Sequence, residues 1–204
     1  MKQNNLLELP LYNPLEICGI DEAGRGCIGG SLFVCGVILT PTFPKILLEQ
    51  LQDSKKLSQK TRDNLAPQIQ KYAKFHLVKK SAEEIDTKGL SLCIKESLQE
   101  ILTNLQAPHY LFDGNCNFGI HSLQTLIKGD SKIPSISAAS ILAKNAKDKE
   151  SAKLDNLYPQ YGFKSHKGYG TKEHLKAILD FGYCKEHRKS YKIKIFTKEN
   201  LFLI

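Results

Sequence analysis

LEICGIDEAGRGCIGGSLFVCGVIL, residues 15–39, decides the architecture. LEICGID (15–21) and SLFVCGVIL (31–39) are short apolar runs that read as buried strands. The glycine-rich EAGRGCIGG joins them. Such a pair needs more strands beside it and helices to cover it.

Working outward, KFHLVKK (74–80) and HYLFD (109–113) are further strand candidates, the second ending in the turn signal Asp-Gly-Asn. Ser81 and Glu84 make a capping box, S-A-E-E, which opens a helical region running to about Leu105 with Gly89 as its weak point. A shorter helix follows Ser58, and Pro67 is expected to bend or end it. Residues 136–154 form the clearest helix. Ile136, Ala139, Ala143 and Ala146 make a small apolar stripe, with Ser137, Ser140, Lys144 and Lys147 as a polar stripe beside it. Strands interleaved with helices predict an α/β sheet domain. Residues 1–157 are expected to form it, and 158–204 a basic, largely helical C-terminal segment packed on it.

The formal net charge of +8 points to an anionic partner. Residues 164–198 hold ten Lys or Arg against three Asp or Glu, so they carry +7 of that charge. A phosphate-binding face explains this asymmetry, and so does a solvated tail; charge alone leaves the choice open. The six cysteines form no C-x-x-C pair and no zinc-spaced Cys/His cluster, so they read as reduced and structural. No apolar run is long enough to span a membrane, and the N-terminus makes a poor secretory signal; a cytoplasmic protein is expected.

Four acids fall where strands end or helices begin: Asp21 and Glu22 after ICGI, Asp113 after HYLF, and Asp130 shortly before the 136–154 helix. Ligand sites of open α/β sheets gather at strand ends. Four carboxylates brought together repel strongly unless cations neutralise them, and Mg²⁺ or Mn²⁺ suits an all-oxygen donor set. Two such ions can drive phosphodiester hydrolysis. Adjacent strand residues face opposite ways, however, so Asp21 and Glu22 are expected to share a site only if the strand breaks there. Taken singly, each acid could equally be a cap, a turn former or a surface charge. Gly24-Arg25-Gly26 follows the acidic pair directly. Glycines flanking an arginine let the backbone approach a ligand and present N–H groups to an oxygen, although the same triplet could be a plain tight turn.

IDEAGRG (20–26), DSKKLS (53–58), DGN (113–115), KGDSKIPSISAASILAK (128–144), YPQYGF (158–163) with HKGYGT (166–171), and HRKSY (187–191) occur in the order found in bacterial ribonuclease HII. The chain resembles that family over roughly residues 15–192. The resemblance implies a ribonuclease H-like mixed sheet flanked by helices, with a small helical C-terminal segment. It implies hydrolysis of the RNA strand of RNA–DNA hybrids and incision of DNA 5′ to an embedded ribonucleotide, leaving 3′-hydroxyl and 5′-phosphate ends. By motif, Asp21, Glu22, Asp113 and Asp130 look like the metal-binding carboxylates. Gly24, Arg25 and Gly26 resemble the loop that reads the ribose 2′-hydroxyl, the group that separates RNA from DNA. Tyr169 resembles the tyrosine that packs on the deoxyribose 3′ of the ribonucleotide. Lys55, Ser140 and Lys144 match positions lining the nucleic-acid groove. A monomer is expected.

Three departures stand out. Gly89 replaces a usual asparagine, which puts a DNA backbone contact in doubt. Cys27 replaces a usual proline, which implies a looser Gly24-Arg25-Gly26 loop. The apolar tail after Tyr191 is suited to folding back, or to docking a partner such as a sliding clamp, although the usual clamp-binding pattern is absent. A resolvase or integrase on the same fold would cut all-DNA substrates, against the Gly-Arg-Gly loop. Ribonuclease HIII carries an extra N-terminal domain and a different sequence around its Asp-Glu pair. A catalytically dead hybrid binder would gain nothing from four acids beside a polyanion.

Overall fold

The computed structural model describes residues 13–51 and 57–192. Lys55 and the tail from residue 193 lie outside the described residues. Five strands, β1 (Ile17–Ala23), β2 (Leu32–Leu39), β3 (Ala73–Lys80), β4 (His109–Asp113) and β5 (Leu123–Leu126), form one sheet in the order β3-β2-β1-β4-β5. The glycine-rich turn lets β1 and β2 pair antiparallel, and β3 adds antiparallel to β2. Strand β4 runs parallel to β1, and β5 parallel to β4. A parallel neighbour requires a crossover. Between β3 and β4 the helices α3 (Ala82–Lys88) and α4 (Leu90–Asn104) provide it. This is the expected α/β architecture of a mixed sheet flanked by helices.

Alternation along β1 and β2 feeds two cores. Cys18, Ile20, Val34 and Ile38 face Ile94, Leu98 and Ile101 of α4. Phe33, Cys35, Val37 and Leu39 face the opposite layer. That layer is α1 (Lys45–Leu51), α2 (Gln59–Tyr72) and α5 (Pro134–Leu157). Helix α5 lies almost on the backbone of β1. A Cβ at Gly19 would strike the main chain of Ser135 and Ile136. The missing side chain is what brings the start of α5 down onto the strand that carries Asp21.

The helical region from Ser81 to Leu105 is present, and its expected weak point, Gly89 at φ +84°, is where α3 closes and α4 opens. Other expectations are corrected. Pro67 does not end its helix. α2 runs through it, held by the buried Leu65, Ala66 and Ile69 on either side. β5 was not expected, since LQTL is four residues long and exposes its two central ones. The polar stripe of α5 is largely interior: Ser137, Ser140 and Lys147 are buried.

Beyond α5, helices α6 (Phe163–His166) and α7 (Lys172–Phe181) close over a separate apolar cluster of Leu154, Tyr161, Phe163, Ala177 and Ile178. Residues 182–192 then return to the β1–β2 turn. Gly29 bridges His187, and the Gly30 N–H donates to the Glu186 carbonyl at 2.8 Å.

Candidate active site

Asp21, Glu22 and Asp113 gather where the pairing of β1 with β4 runs out, not at a broken strand. β1 continues to Ala23 and pairs with β2 through Asp21↔Cys35 and Glu22↔Val34. Its pairing with β4, however, stops at Ile20↔Phe112. Asp113 is the last residue of β4, so the next register position sets it beside Asp21. Strand alternation puts both on the α5 side and Glu22 on the other. Past the end of β4 the charge of Asp113 still acts on Glu22, so Glu22 shares this end of the sheet from the other face. The expected strand break is therefore unnecessary.

The electrostatics mark this as one cluster. Burial, then the charges of Glu22 and Asp113, push the Asp21 carboxyl up to about 7, against hydrogen bonds from the Ser140 hydroxyl and the Glu22 N–H. Glu22 is also raised, by burial first, with Arg25 and Asp113 acting in opposite directions. Arg25 Nη1 lies 3.5 Å from Glu22 Oε1, while Glu22 Oε2 is buried with no hydrogen-bond partner among the described residues. Asp113 accepts the Gly129 N–H at 3.0 Å. It is therefore more than a turn former: it pins the short 3₁₀ turn Gly129–Ser131 that carries the buried Asp130. Asp130 lines an adjoining cavity with Leu51, Lys132, Ile133 and Ser137.

These residues fit a hard divalent cation. The donor set is carboxylate, one oxygen is buried and unpaired, and the charges oppose one another until a cation joins them. Among the described residues, no three His, Cys, Asp or Glu side chains already stand close enough to hold an ion. Binding would have to draw the carboxylates inward.

The other predicted residues divide into two groups. Ser140 is fully buried, hydrogen-bonds Asp21, and accepts from Lys144 Nζ at 2.7 Å. It acts on the carboxylate rather than lining an open groove. Gly24, Arg25 and Gly26 form the turn after β1. Gly24 has φ +93°, and a Cβ there would meet the Ser31 carbonyl at 2.6 Å. A Cβ on Gly26 would lie 4.0 Å from the ring of Tyr169, which is 49% exposed, with Lys147 Nζ 5.7 Å from its centroid. The acidic end of the sheet and the Gly-Arg-Gly turn with its aromatic face are thus neighbours.

Sequence reasoning missed what holds that turn. Arg188 is fully buried and donates to the carbonyls of Gly30 at 3.0 Å and Arg25 at 3.2 Å. Tyr191 adds its hydroxyl to the Arg25 carbonyl at 3.1 Å. HRKSY is visible as a motif, but nothing in its spacing says that its arginine points inward. Cys27, where a looser turn is expected, makes a contact of its own. It is buried, and its thiol donates to the Lys167 carbonyl at 3.5 Å, tying the turn to the loop that bears Tyr169.

A mixed five-stranded sheet flanked by helices, with acids at the neighbouring ends of its central strands, places the molecule among the ribonuclease H-like nucleases. The family model described as Ribonuclease HII matches residues 18–197, and the chain belongs to that family, and with it to the type 2 ribonucleases H. It is 45% identical to the ribonuclease HII of a Sulfurovum species over 186 residues, 91% of this chain and 96% of that protein. It is 48% identical to the ribonuclease HII of Aliarcobacter butzleri over 91% of this chain and 95% of that one. Among solved structures it is similar to the ribonuclease HII of Archaeoglobus fulgidus, solved in complex with PCNA. That likeness has 28% identity and a TM-score of 0.72, covering 85% of this chain and 92% of the other.

Proposed function

We propose that this endoribonuclease of RNA–DNA hybrids also incises duplex DNA 5′ to an embedded ribonucleotide, leaving 3′-hydroxyl and 5′-phosphate ends by two-metal-ion catalysis. The observation that carries the reading is the juxtaposition at the sheet end: a repelling carboxylate cluster directly precedes a turn whose Gly26 abuts the exposed face of Tyr169. Asp21, Glu22, Asp113 and Asp130 would hold Mg²⁺ or Mn²⁺. When bound, such ions supply positive charge to the scissile phosphate and its leaving oxygen, and acidity to a water.

The remaining work belongs to the chain's own residues. Ser140 donates to Asp21 and orients it. Arg25 places its charge beside Glu22 at the mouth of the site. Arg188 and Tyr191 occupy the Arg25 carbonyl, so the turn is held from beneath and its outer backbone is left to face a ribose 2′-hydroxyl. Tyr169 offers a flat apolar surface to the sugar that follows. Residues 158–204 form, on this reading, a basic appendage that grips phosphates beside the 1–157 catalytic domain. Lys144 and Lys55 would contact the nucleic acid on the same reading. The protein is read as a cytoplasmic monomer. Among the described residues no helix is long and apolar enough to cross a membrane. A sliding clamp is a candidate partner by analogy with the Archaeoglobus complex alone.

The test is a duplex DNA with one embedded ribonucleotide, incubated with Mg²⁺ or Mn²⁺ and mapped at nucleotide resolution. Incision 5′ to the ribonucleotide is the expected result. No cut, or an equal cut in an all-DNA duplex, rejects the reading.

A further inference from the structure

The C-terminal segment buries three imidazoles that the chemistry above does not use. His166 and His174 stack with centroids 3.8 Å apart and planes inclined by 14°. His174 Nε2 lies 3.0 Å from His187 Nε2. The surrounding bonds fix every proton. His166 Nδ1 accepts the Gly168 N–H at 3.1 Å, so its Nε2 carries the hydrogen that meets the Tyr161 carbonyl at 2.7 Å. His187 Nδ1 accepts the Cys184 N–H at 2.9 Å, so its Nε2 must be a donor. His174 Nδ1 faces the Tyr169 carbonyl at 2.9 Å, which can only accept. Its Nε2 is then bare and receives the His187 proton. All three rings are neutral, each with one nitrogen donating and the other accepting.

Both loops near the sheet end hang on these rings. The Gly168 carbonyl accepts from the N–H groups of Ile28 at 2.9 Å and Gly29 at 3.2 Å. The Arg188 N–H, next to His187, donates to the Ile28 carbonyl at 2.8 Å, and the Arg188 side chain holds the Arg25 carbonyl. The Tyr169 carbonyl is the one held by His174.

We propose that His166, His174 and His187 form one neutral hydrogen-bond relay that positions Gly24-Arg25-Gly26 against Tyr169, making them positioning residues for selection of the ribonucleotide. The inference rests on the reading of those two loops given above. Charging any ring turns an acceptor into a donor that faces an N–H, and it puts a cation against a stacked or bonded neighbour. The charged groups that act on the rings are Asp155, Glu173 and Lys147 at His166 and Lys189 at His187. The aromatic rings of Tyr161, Phe163 and Tyr183 enclose them. Burial above all holds His174 and His187 down at about 4. His174 and His187 therefore stay neutral between about pH 4 and the pH near 6.5 at which an ordinary histidine charges, and burial moves His166 in the same direction.

Two measurements test this. In ¹⁵N NMR of the intact protein, His174 should carry its proton on Nδ1 and the other two on Nε2, with all three neutral at pH 6. A charged ring at pH 6, or His174 protonated on Nε2, overturns the relay whether or not variants fold. In Mg²⁺, His174→Asn and His187→Asn should each lower kcat/KM on the single-ribonucleotide duplex about tenfold. The inhibition constant of an all-DNA duplex should stay within about twofold of the parent value, because both substitutions leave every lysine and arginine of the basic segment in place. Unchanged kcat/KM, or equal losses in both quantities, sinks the positioning role. A parent protein that itself ignores the ribonucleotide removes the loop reading, and the inference falls with it.

Discussion

Two buried carboxylates, one at the open end of the sheet and one beneath the glycine turn, have opposite fates. Glu150 takes the Ser31 N–H at 2.8 Å and the Ser31 hydroxyl at 2.6 Å, with Lys79 Nζ at 2.9 Å. Burial alone would raise it, yet these partners hold it below its ordinary range. Asp21 is equally interior, and burial, reinforced by the charges of Glu22 and Asp113, drives it up to about 7. Glu150 is satisfied by its partners; around Asp21 like charges oppose one another until a cation joins them. Buried charge is costly unless compensated, so mutually repelling acids point to where a ligand would bind, and a compensated carboxylate to the frame.

The contrast can be broken at either end. The largest effect is expected from Asp113→Asn, which should cut hydrolysis by at least about 10³-fold while leaving hybrid binding and folding largely intact. Substantial cleavage by this variant at saturating Mg²⁺ would remove Asp113 from the chemistry. Arg188→Ala attacks the frame instead. It leaves the buried Gly30 carbonyl without this donor and the Arg25 carbonyl with the Tyr191 hydroxyl alone, and should lower unfolding free energy by about 3 kcal/mol. Denaturant titration reads this, and an unchanged midpoint would show that the brace carries no weight.

The smallest and most diagnostic effect is on pH. Between roughly pH 4 and 7 folded, metal-free Asp21 keeps a proton that the unfolded chain, with an ordinary carboxyl of 3.8, has released. Proton uptake on folding makes stability fall as pH rises through that window. Asp21→Asn should therefore raise the metal-free Tm by about 5 °C at pH 8 and hardly at all at pH 4. A gain at pH 4 as large as at pH 8 contradicts the repulsion.

Much of this was legible in the chain. The apolar runs 15–21 and 31–39 and the helix around residues 136–154 announced the sheet and its closest helix. Short elements did not announce themselves. LQTL has too little alternation to read as a strand, and the helix through Pro67 survives on tertiary packing that no propensity records. At the site, the parity argument about Asp21 and Glu22 was sound, since they do face opposite ways. What the sequence could not express was that the pairing of β1 with β4 runs out at Ile20, so acids of both faces share that end of the sheet. Arg188 and the histidines were hidden for a similar reason. Polar residues in a basic segment read as surface until the fold turns them inward.

The parallel pairing of β1 with β4 also sets an order of assembly. Ile17 and His109 are partners separated by about ninety residues of chain, whereas β1 and β2 meet across a short turn. Asp21 and Glu22 are therefore synthesised, and can enter a hairpin, long before Asp113 exists to join them. A nascent or truncated chain ending before β4 can pair β1 with β2 but can neither assemble the acidic cluster nor supply the Arg188 and Tyr191 bonds that hold the glycine turn. Nuclease competence is thereby tied to near-completion of the fold.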